Sequence, residues 1–145
     1  MYQDNHRKFV VLMNQKQPLG RLINAVTHIA LGLSATPATS PEQMDFLPYQ
    51  NREHDLNASV SRFPVIVLKA KNGNQLRTVR QAAQAAGIPC NVFVHTMLGT
   101  SAEDQLQKTK NAHEMELDYL ALILFGASAD LDPFTRKFSL FGDSI

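Results

Sequence analysis

Cysteine is almost missing from this sequence. Cys90 is the only one, so no disulfide can close within the chain and nothing asks for an oxidising compartment. An excess of charge of one sign is missing as well. The 14 Lys and Arg stand against 13 Asp and Glu, a formal net charge of +1. That argues against the strongly basic field of a typical nucleic-acid binder and leaves room only for a local basic patch. No apolar stretch approaches the roughly 18 residues that span a bilayer, and Met1 to Lys8 is polar where a signal peptide would be apolar. The expectation is a soluble cytoplasmic protein with no membrane partner.

Chemical signatures are equally sparse. There is no glycine-rich loop of Walker or Rossmann type, no GxSxG nucleophile elbow and no HxxxH pair. The five histidines (His6, His28, His54, His95, His113) and one cysteine make no zinc pattern. Cys90, between Pro89 and an apolar run, reads as a core thiol. Neither a metal nor a cofactor is expected.

What is present is a 145-residue chain, 44% hydrophobic and 19% charged, read as one globular domain over residues 1–145 that buries roughly two-thirds of its unfolded surface. Phe9 to Met13 reads as a buried strand. After a polar loop, Pro18 and Gly20 open a helix whose apolar face is Leu22, Val26, Ala30 and Leu33, with Ile29 beside it, ending near Gly32 to Ser34. Residues 36–62 read as a long surface loop, with Met44 to Leu47 as an optional short edge strand. Phe63 to Leu68 is the clearest strand. Asn74 then caps a helix through Leu76, Val79, Ala83 and Ala86, stopped by Gly87 and Pro89, and Asn91 to His95 is the next strand. This strand–helix–strand unit predicts a parallel pair with a right-handed crossover. Ser101 to Glu116 is polar with good helix formers. Tyr119 to Phe125 is continuously apolar, which periodicity alone leaves open between strand and helix. Asp132-Pro133 reads as the start of a last helix bearing Leu131, Phe134 and Phe138. The fold class is α/β, three layers around a small sheet.

Two places can carry chemistry. Arg21, Asn24 and His28 lie along one face of the first helix, in its first turns after a strand, where open backbone N–H groups and the helix dipole favour an anion. Arg21 adds a permanent charge suited to phosphate or carboxylate. The competing reading is a solvated helix face with an ordinary histidine. His95 ends a strand, with Thr96 and Thr100 behind it, and strand ends are where open α/β sheets hold ligands. The competing reading there is a strand-end histidine bonded to the backbone. If the sheet is parallel at this point, both places share one edge.

The segment Gly20-Arg21-Leu22-Ile23-Asn24-Ala25-Val26-Thr27-His28-Ile29-Ala30, entered from an apolar strand, resembles the strand–Gly-Lys–helix signature of the peptidyl-tRNA hydrolase 2 family, and the resemblance covers most of residues 8–126. A closer likeness is to an uncharacterised bacterial family, the domain of unknown function numbered two thousand. That likeness rests on Asn24-Ala25, His28 and Gly32-Leu33; on Phe93, Met97 and Thr100; and on Leu117-Asp118-Tyr119-Leu120 through Gly126 with Phe134-Thr135. The resemblance implies a three-layer α/β/α fold with a mixed sheet of about four strands, and it turns the Tyr119 run toward a strand. It places Arg21 where the hydrolase has its Lys, Ala25 where it has a helix Gln, and Thr96–Thr100 or His95–Gly99 over its Asp-Ala-Gly-Arg-Thr segment. The catalytic Asp is absent in either register.

Three functions follow. One is a divergent hydrolase of an ester-linked tRNA or nucleotide adduct, with His28, His95 and Thr100 as catalytic candidates and Arg21, Asn24 and Thr96 binding. The second is a non-catalytic module for a small phosphorylated or carboxylated ligand. The third is a dimeric structural or regulatory protein, using the apolar tail of Leu131, Phe134, Phe138, Leu140 and Phe141, whose first expected use is to cover the sheet.

Overall fold

A computed structural model describes residues 2–142. Strand β1 (Arg7–Asn14) leads to helix α1 (Leu19–Leu33), the short helix α2 (Pro41–Met44) and a hairpin of β2 (Phe46–Gln50) and β3 (Asn57–Ser61). Then come β4 (Val65–Ala70), α3 (Gly73–Ala85), β5 (Cys90–Val94), α4 (Ala102–Asn111), β6 (Tyr119–Ala127), α5 (Ser128–Thr135) and β7 (Ser139–Leu140). The main sheet has five strands in the order β5-β6-β1-β4-β7, and β2 and β3 form a separate two-stranded sheet. The expected small mixed sheet is therefore there, with one strand more than the four foreseen.

β1 and β6 are buried on both faces, which is why they read as unbroken apolar runs and not as alternations. Their antiparallel register sorts the residues: Phe9, Val11 and Met13 oppose Phe125, Ile123 and Ala121, while Val10 and Leu12 oppose Leu124 and Leu122. The first set packs with Leu22, Ala25, Ile29 and Leu33 of α1. The second packs with Leu76, Val79 and Ala83 of α3 and Leu131 of α5. Helices thus cover both faces of the sheet.

Several expectations need correction. β4 does not pair with β5; it pairs in parallel with β1, while β5 pairs antiparallel with β6. Since β6 is also antiparallel to β1, strands β1, β4 and β5 all point the same way and their carboxyl ends share one edge. The buried stripe of α1 is Leu22, Ala25, Ile29 and Leu33; Ala30 is exposed and Val26 only partly covered. The small residues Ala25 and Gly32 bring the helix close, for a Cβ on Gly32 would lie 2.9 Å from the Asn91 amide. Asn72, not Asn74, caps α3, its side chain accepting from Gln75 N at 3.0 Å. Ala86 is outside the buried stripe of α3.

The last helix starts at Ser128, ahead of Asp132-Pro133, and Pro133 lies within it. Tertiary bonds set that start: Ser128 N donates to His6 O at 2.9 Å and Ser128 Oγ to Asn5 O at 2.5 Å. Phe134 and Phe138 pack on the α3 side, Phe141 packs on the α1 side and Leu140 stays exposed. The 36–62 segment is more ordered than a loop. Its hairpin is closed at the base by Arg62 Nε on Asp45 Oδ2 at 2.5 Å and by Ser61 Oγ on Met44 O at 2.5 Å. Among the described residues no helix is long and apolar enough to cross a membrane.

Candidate functional site

The carboxyl edge of β1, β4 and β5 gathers most of the polar groups expected to work. His95 begins a single 3-10 turn, His95–Met97, directly after β5. Its backbone N donates to Asp118 O at 2.9 Å, and its Nδ1 accepts from Asp118 N at 2.9 Å. A ring nitrogen that accepts a backbone N–H carries no proton, so the neutral imidazole holds its proton on Nε2 and presents a donor to solvent. The Asp118 carboxylate accepts from Gln17 Nε2 at 3.3 Å, and Gln17 Oε1 in turn accepts from Arg21 Nη1 at 3.5 Å. Arg21, Gln17, Asp118 and His95 therefore form one line along the edge.

The other candidates lie apart from that line. The His28 ring faces Phe93, with centroids 6.0 Å apart and planes 27° from parallel. It lines a cleft of about 320 Å³ with Ile29, Asn91, Val92, Phe93, Met97 and Gln105. Thr96 is buried, and its hydroxyl meets Thr109 Oγ1 at 2.7 Å. Thr109 already donates to Gln105 O at 2.8 Å, so Thr96 is the donor and ties the turn to α4. Thr100 is exposed, its N directed to Asp104 Oδ2 at 3.5 Å just before the Ser101 cap of α4. Asn24 is exposed on α1. His28 and His95 open onto different clefts, for His95 and Thr96 line a second one with Lys108, Asn111 and Glu116. Ala25 is fully buried against the sheet.

Sequence reasoning missed two features of the same edge. The first is Asp118, a carboxylate supplied from the start of β6. The second is a cleft of about 400 Å³ beyond the end of β4, lined by Lys69, Lys71 and Lys137 with Gln15, Gln75 and Ser139. Two of its lysines come from the end of β4 and the third from the turn between α5 and β7, and no local motif joins them. Gln75 Oε1 accepts from Lys71 N at 2.7 Å, which fixes that amide at the cleft wall. Among the described residues no group of three or more His, Cys, Asp or Glu is placed to hold a metal ion.

Cys90 sits at the opposite edge, in a cleft with Pro37, Arg80, Gln84 and Ile88. Burial pushes its thiol up to about 12, against the opposing pull of Arg80. At pH 8 almost none of it is thiolate, the form that reacts. Labelling of the folded protein with a disulfide reagent at that pH is expected to be at least about a hundredfold slower than labelling of the unfolded chain. A rate near that of a free cysteine would show the thiol to be open.

Comparisons with known proteins give a fold likeness and a family, and are silent on activity. The chain is similar to a protein of unknown function from Agrobacterium tumefaciens, with a TM-score of 0.80, 15% sequence identity, and coverage of 94% of this chain and 98% of that one. At that identity the likeness shows the fold alone. No curated protein matches the chain. The family described as protein of unknown function (DUF2000) matches residues 7–141, nearly the whole length, and the chain belongs to that family.

Proposed function

We propose that the protein is a binding module for a small phosphorylated or carboxylated molecule, taken up at the carboxyl edge of the sheet. The observation that supports it is the three-lysine cleft of Lys69, Lys71 and Lys137, walled by the amides of Gln15 and Gln75. Ammonium groups converging on a concavity favour an anion, and carboxyl ends of parallel strands are the usual place for one. Inorganic phosphate titrated into the protein is expected to shift the amide resonances of Lys71 and Gln75. The Lys71→Gln, Lys137→Gln double variant should weaken that binding about tenfold or more, the size of two modest charge contacts. Unchanged binding in the double variant sinks the reading.

One observation favours the hydrolytic alternative: Asp118 stands beside His95, next to the helix that resembles the peptidyl-tRNA hydrolase 2 motif at Arg21 and His28. Its catalytic set would be Asp118 and His95, with Arg21 steadying the oxyanion and His28, Asn24, Thr96 and Thr100 in support. The distribution of these groups over two clefts favours binding without turnover. An N-blocked aminoacyl-tRNA is therefore expected to survive incubation at high protein concentration. Hydrolysis by the wild type that Asp118→Asn abolishes would reverse the order of the two readings. A tRNA ligand would also show itself by salt, its affinity falling with a log–log slope of about one per phosphate contacted.

A further inference from the structure

We propose that the ligand of this edge is a zwitterion: an ω-amino phosphate or similar molecule whose anion lies in the lysine cleft and whose ammonium is read by Asp118. This rests on the anion-binding reading above and adds the second half of the recognition. The two halves are one surface. Helix α3 starts between them, its first residue packed so close to β6 that a Cβ on Gly73 would lie 2.6 Å from Asp118 Oδ1. Two residues later, Gln75 lines the lysine cleft. The loop after β1 makes the same bridge from the other side. Gln15 lines the cleft and its N donates to Ala70 O at 2.9 Å, while Gln17 Nε2 donates to Asp118 Oδ2 at 3.3 Å. Between these, the buried Asn14 amide donates to Tyr119 O at 3.0 Å, pinning the loop to the start of β6.

Between Lys71 and Asp118 these contacts place the amides of Gln15, Gln17 and Gln75, with Lys16 exposed in the same loop; lysines stand at one end, and at the other a carboxylate that Arg21 reaches only through Gln17. Among the described residues Asp118 is in no ion pair and Lys71 and Lys137 face no carboxylate within ion-pair distance. β4 and β6 lie on either side of β1, so the two charged ends are about 10 Å apart, two strand spacings. A plain dianion would leave Asp118 facing it with like charge; a ligand carrying an ammonium at that distance satisfies both ends.

The test uses a matched pair of probes, aminohexyl phosphate and hexyl phosphate, which differ in the terminal ammonium and span the distance when extended. Calorimetric titration into the wild type is expected to show the amino compound binding about fivefold tighter, the size of an exposed ion pair. Asp118→Asn keeps an acceptor for Gln17 and should erase the preference, so that the variant binds the two probes alike. Lys71→Gln with Lys137→Gln should weaken both probes together. Equal binding of the two probes by the wild type, or a preference that survives Asp118→Asn, overturns the zwitterion proposal and leaves the anion site standing. Failure of the wild type to bind either probe overturns both.

Discussion

Arg77→Ala is expected to lower the unfolding free energy by about 3 kcal/mol, the lower end of the range for removing one member of a buried ion pair. Arg77 is 7% exposed, unusual for an arginine, and every group around it is a partner. Its Nε donates to Glu114 Oε1 at 2.6 Å, its Nη2 to Leu117 O at 2.5 Å, and its Nη1 to the Asn74 amide oxygen. The guanidinium lies 5.3 Å from the centroid of the Tyr119 ring, whose hydroxyl donates to Glu114 Oε2 at 2.9 Å. Burial first, and then the bond to Glu114, push that hydroxyl above the ordinary tyrosine range. The loss stays at the lower end because the Glu114 side chain is 36% exposed and keeps Arg80 at 3.6 Å. Urea denaturation of wild type and variant, with the slope unchanged, measures the difference. A loss below about 1 kcal/mol would mean that water replaces the guanidinium at little cost. The network joins α3 to the segment ahead of β6, so it also holds Gly73, the first residue of α3, against Asp118. Weaker phosphate binding should accompany the lost stability.

How much of this was legible depends on which interactions are local. The strands and helices with a clear period or a short apolar run are where the residues put them: Phe9 to Met13, Leu22 to Leu33 and Leu76 to Ala83; the run Tyr119 to Phe125 is a strand, which its residues left open against a helix and only the family resemblance favoured. Which residues of α1 face the sheet was not legible, because the spacing admits Val26 and Ala30 as well as Ala25 and Ile29. The close approach of the helix at Gly32 decides it. The hairpin of β2 and β3 was hidden because it is exposed almost throughout and so carries no alternation of buried and solvent-facing residues. The line from Arg21 to His95 was half visible: the shared edge followed from strand direction, but Gln17 and Asp118 gain meaning only when β6 runs back beside β5 and β1. The lysine cleft was not visible at all. Lys71 and Lys137 are 66 positions apart in the chain, and it takes the pairing of Lys69 with Ser139 in β7 to bring them to one concavity.

Phe125→Ala is the counterpart of the Arg77 variant at the other end of the same strand system, and it separates fold from site. Phe125 is fully buried. Its ring lies 4.4 Å from that of Phe9 across the β1–β6 pair and 6.2 Å from that of Phe63, and the Arg7 guanidinium covers it at 4.9 Å. Truncation removes the transfer energy of the ring and leaves a cavity between α1 and the sheet that these aromatics cannot close, a loss of about 4 kcal/mol. For a chain of this length that is a fall in midpoint of about 12 °C, enough to be unmistakable and within the usual margin of a folded domain. β6 runs from Tyr119 at the carboxyl edge of β1 to Ala127 at its far end, so Phe125 is about 20 Å of strand away from Asp118. Below its own melting temperature the variant should therefore bind phosphate with wild-type affinity. Affinity that falls in step with the lost stability would mean that the cleft is not preformed and that anion binding reports global folding, in which case the lysine variants must be judged against their own melting curves. Wild-type affinity in a protein weakened by about 4 kcal/mol would show the carboxyl edge to be held by its own contacts: the Asn14 bridge, the Asn72 cap and the Arg77 network.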